Sequence, residues 1–442
     1  MKKTKKLLAL LLVAVLLVAA VVTIVACGPG KGPSGDGKIE LVLWAPSAAQ
    51  TFYKTWAAKW AENYKDADGN QYKVTIGIYA ESEVADPLMT SPTDGADLFL
   101  MADDQVAKLA KAGILSDLGT GAWAQDVKDR NTPNSVASAT YKDVDGEHLL
   151  AYPMQADNTY YLFYNDKYLT ETEITSWTAI FNKIKTLNEG KIGGERKKMQ
   201  FDFDDAWYGA SWFYSYGGVA TETIDEKVST FHTEAVGKKA LTAAHMFSKT
   251  GGEDIVYEAP KDAIGGLVNE SLIAAVAGSW IYGGDEGVEQ NEHIKLAVLP
   301  AIDFVPGEAS VPMKAFLSSK LIGVNAMGQY PDASHDLANY LTSEEVQRAK
   351  AIDLYAGPSN KNAADDPAIA ELPTVKVAAD QAKCAAPQIN LPVGFWDAVK
   401  ACVTPVRADK TTTDYFNADG TPKEGLNTLL TTLENSMFGL TI

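Results

Sequence analysis

Cysteine and histidine are scarce in this chain of 442 residues, three and five respectively, and their scarcity excludes a good deal. Three cysteines cannot staple a small disulfide scaffold. His148, His232, His245, His293 and His335 fall at no spacing used by zinc hydrolases. No complete phosphate-binding P-loop and no Gly-x-Ser-x-Gly nucleophile elbow is present. Gly28, Gly30 and Gly32 imitate a dinucleotide fingerprint, but no strand precedes them. Asp66 and Asp68 with Gly69 form part of a calcium-loop pattern that lacks its later ligands, so a plain turn is expected there. Positive charge is also in deficit, with 39 Lys and Arg against 57 Asp and Glu, a net charge of -18. A polyanion would be repelled from such a surface rather than releasing counterions to it, which excludes nucleic acid as a partner.

What is present begins at the amino terminus. Lys2, Lys3, Lys5 and Lys6 precede an apolar run over 7–26, and Ala26 is followed by Cys27. Cations before an apolar core mark an export signal, and the small residue before cysteine resembles the site at which signal peptidase II cuts lipoproteins. Cys27 is then the acylated first residue of a protein held outside the cytoplasm, and loss of the four lysines takes the net charge from -18 to -22. Twenty apolar residues are also long enough to span a bilayer. The following stretch, 28–38, has five glycines, two prolines and no aliphatic side chain, and reads as a flexible tether. A coil of that length reaches about 18 Å, enough to hang a globule beside a membrane. Outside the cytoplasm Cys384 and Cys402 can form a disulfide; two buried, reduced thiols fit the sequence equally.

The roughly 400 residues after the tether exceed one hydrophobic core and predict two lobes. Alternation predicts a strand over 39–44, and strand-like runs follow at 72–79, 96–101, 159–164, 294–300 and 316–324. Asp145-Gly146 between 141–144 and 148–153 predicts a hairpin. Helical spacing marks 51–64, 105–112, 234–248, 269–277, 334–341, 343–354, 393–403 and 423–438, with further helical patterns from Trp177 onward. The order of elements is that of an α/β protein.

Aromatic residues interleave with carboxylates at three places: Trp207-Tyr208 after Asp204-Asp205, Trp280 and Tyr282 near Asp285, and Phe395-Trp396-Asp397. A pyranose offers an apolar C–H face to indole or phenol and a rim of hydroxyls to carboxylate acceptors, so this composition suits neutral sugars. An isolated tryptophan is more often core than site.

Several blocks, in order, resemble the extracytoplasmic solute-binding lipoproteins of ABC sugar importers, close to the maltose and maltodextrin-binding branch. They are Leu41-Val42-Leu43-Trp44, Gly95 to Leu100 with Ala102-Asp103-Asp104, Lys111 to Leu115, Gly146 to Pro153, Leu162 to Asn165, Gly278-Ser279-Trp280, Leu299-Pro300, and Gln388 with Pro392 and 395–399. The resemblance implies a two-lobed periplasmic-binding-protein-like fold of type II, with crossing hinge strands, ligand in the cleft and closure on binding. It implies a first lobe of 39–154 plus 301–358 and a second of 159–299 plus 364–442. By position it assigns Trp280 and Trp396 as stacking residues, Trp207 in place of a stacking tyrosine with Tyr208 beside it, Asp205 as the adjacent carboxylate and Asp104 as a first-lobe hydroxyl acceptor. Asp157 or Asn158 stands where the family has a glutamate. The sequence departs from the family near Ala48-Ala49, at Met101 and at Gln105, where a charged pair, an aromatic and an arginine are expected.

These readings converge on a monomeric, membrane-tethered, non-enzymatic receptor without cofactor or metal, which takes a neutral oligosaccharide to ABC permease subunits. The competing expectations are another oligosaccharide or a polyol, a ligand-loaded partner of a membrane sensor, and a surface glycoside hydrolase, which would need two carboxylates flanking a glycosidic bond. Replacing Cys27 with Ser is expected to abolish acylation, read as loss of the protein from the detergent phase after phase partition.

Overall fold

The computed structural model describes residues 37–283, 287–305, 307–408 and 414–440. The signal, Cys27 and most of the tether lie outside the described residues. In the first lobe, strand β1 (Ile39–Ala45) leads to helix α1 (Gln50–Asn63), strand β2 (Tyr72–Ile78), strand β3 (Leu98–Ala102) and helix α2 (Gln105–Lys111). β1 pairs in parallel with both β2 and β3. Leu41, Leu43, Leu98 and Leu100 are buried from β1 and β3, while Phe52, Trp56 and Trp60 of α1 close over them. The expected hairpin forms from β4 (Thr140–Asp143) and β5 (Gly146–Leu149), with Val144 and Asp145 as the turn and Gly146, at φ 132°, opening β5 opposite Asp143. The turn at Asp66 forms as well, its carboxylate accepting from the Asp68 and Asn70 amides.

Strand β6 (Ala151–Thr159) then crosses to the second lobe, where β7 (Tyr161–Asn165), helix α3 (Trp177–Leu187), β8 (Lys198–Gln200), helix α4 (Ala206–Ser215), helix α5 (Lys239–Gly251), β9 (Ile255–Val256), helix α6 (Pro260–Val268), β10 (Leu272–Ala277) and β11 (Ile294–Ala297) follow. They build a five-stranded sheet of order β9-β8-β10-β7-β11. The chain returns along β12 (Ala315–Val324), continues through helix α7 (Glu344–Leu354) and a last strand β13 (Ala385–Pro387), and finishes with helices α8 (Phe395–Ala408) and α9 (Gly425–Met437). β12 is antiparallel to β6 along most of its length, pairs with β3 at its far end and with β13 at its near end. The two crossing strands thus lie side by side and belong to both lobes.

Three expectations need correction or refinement. Residues 269–277, expected to be helical, form a turn and the strand β10, because Leu272 to Ala277 are buried on both faces between β8 and β7. A short apolar run with no polar side fits either element by pattern, and sheet pairing decided it. The return to the first lobe comes later than 301: Ile302, Met313, Ala315 and Phe316 all belong to the second core. Cys384 and Cys402 are free thiols, Cys402 sunk in the second core on α8 and Cys384 half-buried. Burial pushes the Cys402 thiol well up, so it is packed as a small hydrophobe.

Aromatic rings dominate the second core. Trp177 is fully buried and stacks on Phe201 at 5.7 Å between centroids, with Phe247 edge-on at 5.2 Å. Trp177→Ala is expected to cost about 3–5 kcal/mol of stability, measured as a lowered urea midpoint for the second-lobe transition.

Candidate functional site

A cleft of about 750 Å³ lies between the lobes and the crossing strands. Its first-lobe wall carries Pro46 to Ala49, Glu81, Asp104 and Gln105; its second-lobe wall carries Asp202, Asp204, Asp205, Trp207, Trp280 and Trp396. Six of the expected site residues therefore share one cavity: Asp104, Asn158, Asp205, Trp207, Trp280 and Trp396. The structure separates the pair left open by the sequence. Asn158 lines the cleft, and its side-chain amide donates to Ser318 Oγ at 2.6 Å. Asp157 faces away from it, accepting from the Gly357 amide at 2.7 Å and from Gln155 Nε2 at 2.8 Å. A Cβ at position 357 would collide with that carboxylate, so glycine is required for the contact.

Tyr208 is a correction. It is 4% exposed and packs on Tyr160 and Phe201 in the second core. One step along a helix turns a side chain by about 100°, which sends Tyr208 inward while Trp207 faces the cleft. Asp205 caps α4, its carboxylate accepting from the Trp207 amide at 2.8 Å, and so fixes the start of the helix that presents Trp207.

The three tryptophans are held rather than loose. Trp207 Nε1 donates to Gln388 Oε1 at 2.5 Å, and its ring lies 5.6 Å from that of Trp280. Trp280 folds back over Gly278, where any Cβ would strike the indole and the Thr159 carbonyl. Trp396, in the first turn of α8, sits edge-on to Phe316 at 5.7 Å and donates Nε1 to Asp104 Oδ2 at 3.2 Å. That hydrogen bond joins the two lobes across the cleft. Asp104 Oδ2 also accepts from Gln105 at 2.8 Å, and Gln388 is a further hydrogen-bond donor to this carboxylate. Burial raises the Asp104 carboxyl, partly offset by the Gln105 and Trp396 donors. On the opposite wall burial, reinforced by Asp205 and Asp204, raises Asp202 to about 6.

Sequence reasoning missed the hinge end of the cleft. There Lys320 Nζ pairs with Glu81 at 2.8 Å and lies 5.6 Å from the centre of the Trp280 ring. Pairing of β12 with β6 shifts register on both sides of Lys320, an irregularity that turns this side chain into the cleft. Lys350 of α7 and Gln155 of β6 complete the floor. A lone lysine in the apolar run 316–324 and a glutamine in 151–156 were signals of a kind, but their meeting with 350 was not written in any spacing.

No cluster among the described residues has the acidic, histidine or cysteine groups to hold a metal ion, and no described helix is long and apolar enough to cross a membrane. The model of the bacterial extracellular solute-binding protein family matches residues 59–377. The chain belongs to that family. Comparison with the sequences of curated proteins gave no match. Among solved structures, this solute-binding protein is similar to the maltodextrin binding protein MalE1 from L. casei BL23, at 20% identity and TM-score 0.69 over 90% of this chain and 99% of that one. It is similar to the GacH receptor of Streptomyces glaucescens, solved unliganded and with acarbose, at 17% identity and TM-score 0.72 over 90% and 98%. The Thermus thermophilus maltotriose binding protein aligns at 17% identity and TM-score 0.70 over 89% and 99%. At these identities the likeness establishes the two-lobed fold.

Behind the cleft wall Asp103 is 5% exposed and accepts from Ser138 Oγ at 2.8 Å and the Ser319 amide at 2.9 Å. Burial, with Asp104 adding to it, outweighs these donors and raises Asp103 to about 8. The folded state therefore holds a proton here that the unfolded chain releases near pH 4, so stability falls as pH rises from about 4 to 8 and levels off above. Asp103→Asn is expected to flatten that decline, measured as a smaller drop in Tm between pH 5 and pH 8 than in the wild type.

Proposed function

We propose that this solute-binding protein is the receptor of an ABC importer, anchored by acylated Cys27, and that it captures a neutral oligosaccharide of the α-glucan, maltooligosaccharide type. The observation that carries this reading is one cleft in which Trp207, Trp280 and Trp396 stand among Asp104, Asp202 and Asp205. Indole faces stack on the C–H faces of successive glucose rings. The Asp104 carboxylate, which lines the cleft, accepts a sugar hydroxyl. Because Asp104 and Trp396 come from different lobes and meet in this arrangement, a ligand that contacts both favours the closed form, and a permease that contacts both lobes reads that form. The named ligands of the structural neighbours, maltotriose and acarbose, agree with this class.

A different solute on the same fold is the second reading. Ser47, Ala48 and Ala49 line the first-lobe wall where the resemblance leads one to expect charge, so the first-lobe contacts differ from those of the maltodextrin branch.

The test is titration calorimetry on a soluble chain beginning at Lys38, with maltotriose and longer maltooligosaccharides against cello-, xylo- and fructo-oligosaccharides. Saturable 1:1 binding confined to α-glucans is expected, with ligand chain length unchanged after long incubation. Trp280→Ala and Trp396→Ala are each expected to weaken binding by about 1 kcal/mol or more. Binding only to another glycan would reassign the solute, and shortened ligand would establish a hydrolase.

A further inference from the structure

Lys350 has no role in the stacking and carboxylate scheme above, yet it lines the same cleft at 5% exposure. Its ammonium donates to Gln155 Oε1 at 2.9 Å. Gln155 cannot turn its amide around, because Nε2 donates to Asp157, whose other oxygen holds the Gly357 amide. The two carboxylates that act electrostatically on Lys350 are both engaged elsewhere: Asp157 in that chain and Glu81 in its ion pair with Lys320. An ammonium with three N–H donors is left buried on one neutral acceptor, a costly arrangement unless something in the cleft completes it.

We propose that Lys350 is a ligand-contacting residue that fixes the sugar ring at the hinge end of the cleft, donating from its ammonium to hydroxyl or ring oxygens of the saccharide. This rests on the oligosaccharide reading and deepens it. Lys320 beside it makes the subsite one for acceptor-bearing rings and an unfavourable one for a ligand cation. Burial and Lys320 pull Lys350 down to about 7, against the longer-range influence of Glu81 and Asp157. A ligand oxygen favours the charged form, so binding takes up a proton above pH 7 and affinity falls as pH rises from about 7 to 9.

Calorimetry of maltotriose at pH 6 and pH 8, in buffers of different ionisation enthalpy, reads both affinity and proton uptake. The wild type is expected to take up protons at pH 8, and Lys350→Met to abolish that uptake and bind about tenfold or more weakly. Lys350→Gln, which keeps a donor, is expected to fall between them in affinity and to take up no proton. Lys350→Met leaves Gln155 Oε1 without its donor, so the Tm of each unliganded variant is measured alongside, and Lys350→Gln, whose amide can still donate to that oxygen, separates lost ligand contact from lost folding. Proton uptake unchanged in Lys350→Met, absent from the wild type, or affinity within twofold of the wild type would each overturn the assignment. If the wild type binds another saccharide of the panel instead, the α-glucan reading falls and the same comparison with that saccharide decides Lys350. Silence of the wild type towards the whole panel would overturn both.

Discussion

The antiparallel pairing of β6 with β12 is the constraint on which the rest of this molecule depends. These strands pair along most of their length, from Ala151 with Gly323 to Thr159 with Leu317, and each lobe is assembled on one end of the pair. Their backbone donors and acceptors are used largely on each other, and the cleft lies over the pair. Asn158, Gln155, Ser318 and Lys320 project from the crossing itself. The walls come from elsewhere: Asp104 from the end of β3, Trp207 from α4, Trp280 from the turn after β10 and Trp396 from α8.

The site is preorganised by polar contacts that have little to do with ligand. The Asp205 cap sets the start of α4, Gln388 holds the Trp207 indole, Gly278 leaves room for Trp280, and Asp157 pins the chain at Gly357. Indoles already fixed in this way lose little conformational freedom when a ring stacks on them, which is the condition for stacking to yield affinity. The carboxylates of the cleft are less solvated than those of the outer surface, and both Asp104 and Asp202 are raised for that reason. A protein of net charge -18 thus keeps part of its acidity in the cleft.

How far the sequence could be read varied with the kind of signal. Alternation and turn chemistry found β1, β2, β3 and the β4–β5 hairpin, since in each one polar or turn residue breaks the run at the strand end. The helix expected at 269–277 failed because six consecutive buried residues carry no period at all. Residues 301–316 were placed in the wrong lobe because lobe membership is a matter of which core Ile302, Met313 and Phe316 enter, and a connecting segment with few elements gives no pattern of that. Trp207, Trp280 and Trp396 were legible because aromatic rings beside carboxylates are an unusual composition for a core. Tyr208, with the same composition, belongs to the core by one helical step.

The amino-acid sequence by itself determined the class of fold, the acidity of the chain and most of the aromatic and acidic residues on the walls, and it alone carries the expectation of a lipoprotein signal and tether. Those properties follow from local periodicity, composition and motifs, all of which survive in one dimension. Only the tertiary structure decided that Asn158 rather than Asp157 faces the cleft, that Asp104 meets Trp396 across it, and that Lys320, Lys350, Gln155 and Glu81 converge at its hinge end. Such pairings join positions up to 292 residues apart, where the approach of two side chains depends on strand register and lobe packing that no spacing in the chain encodes.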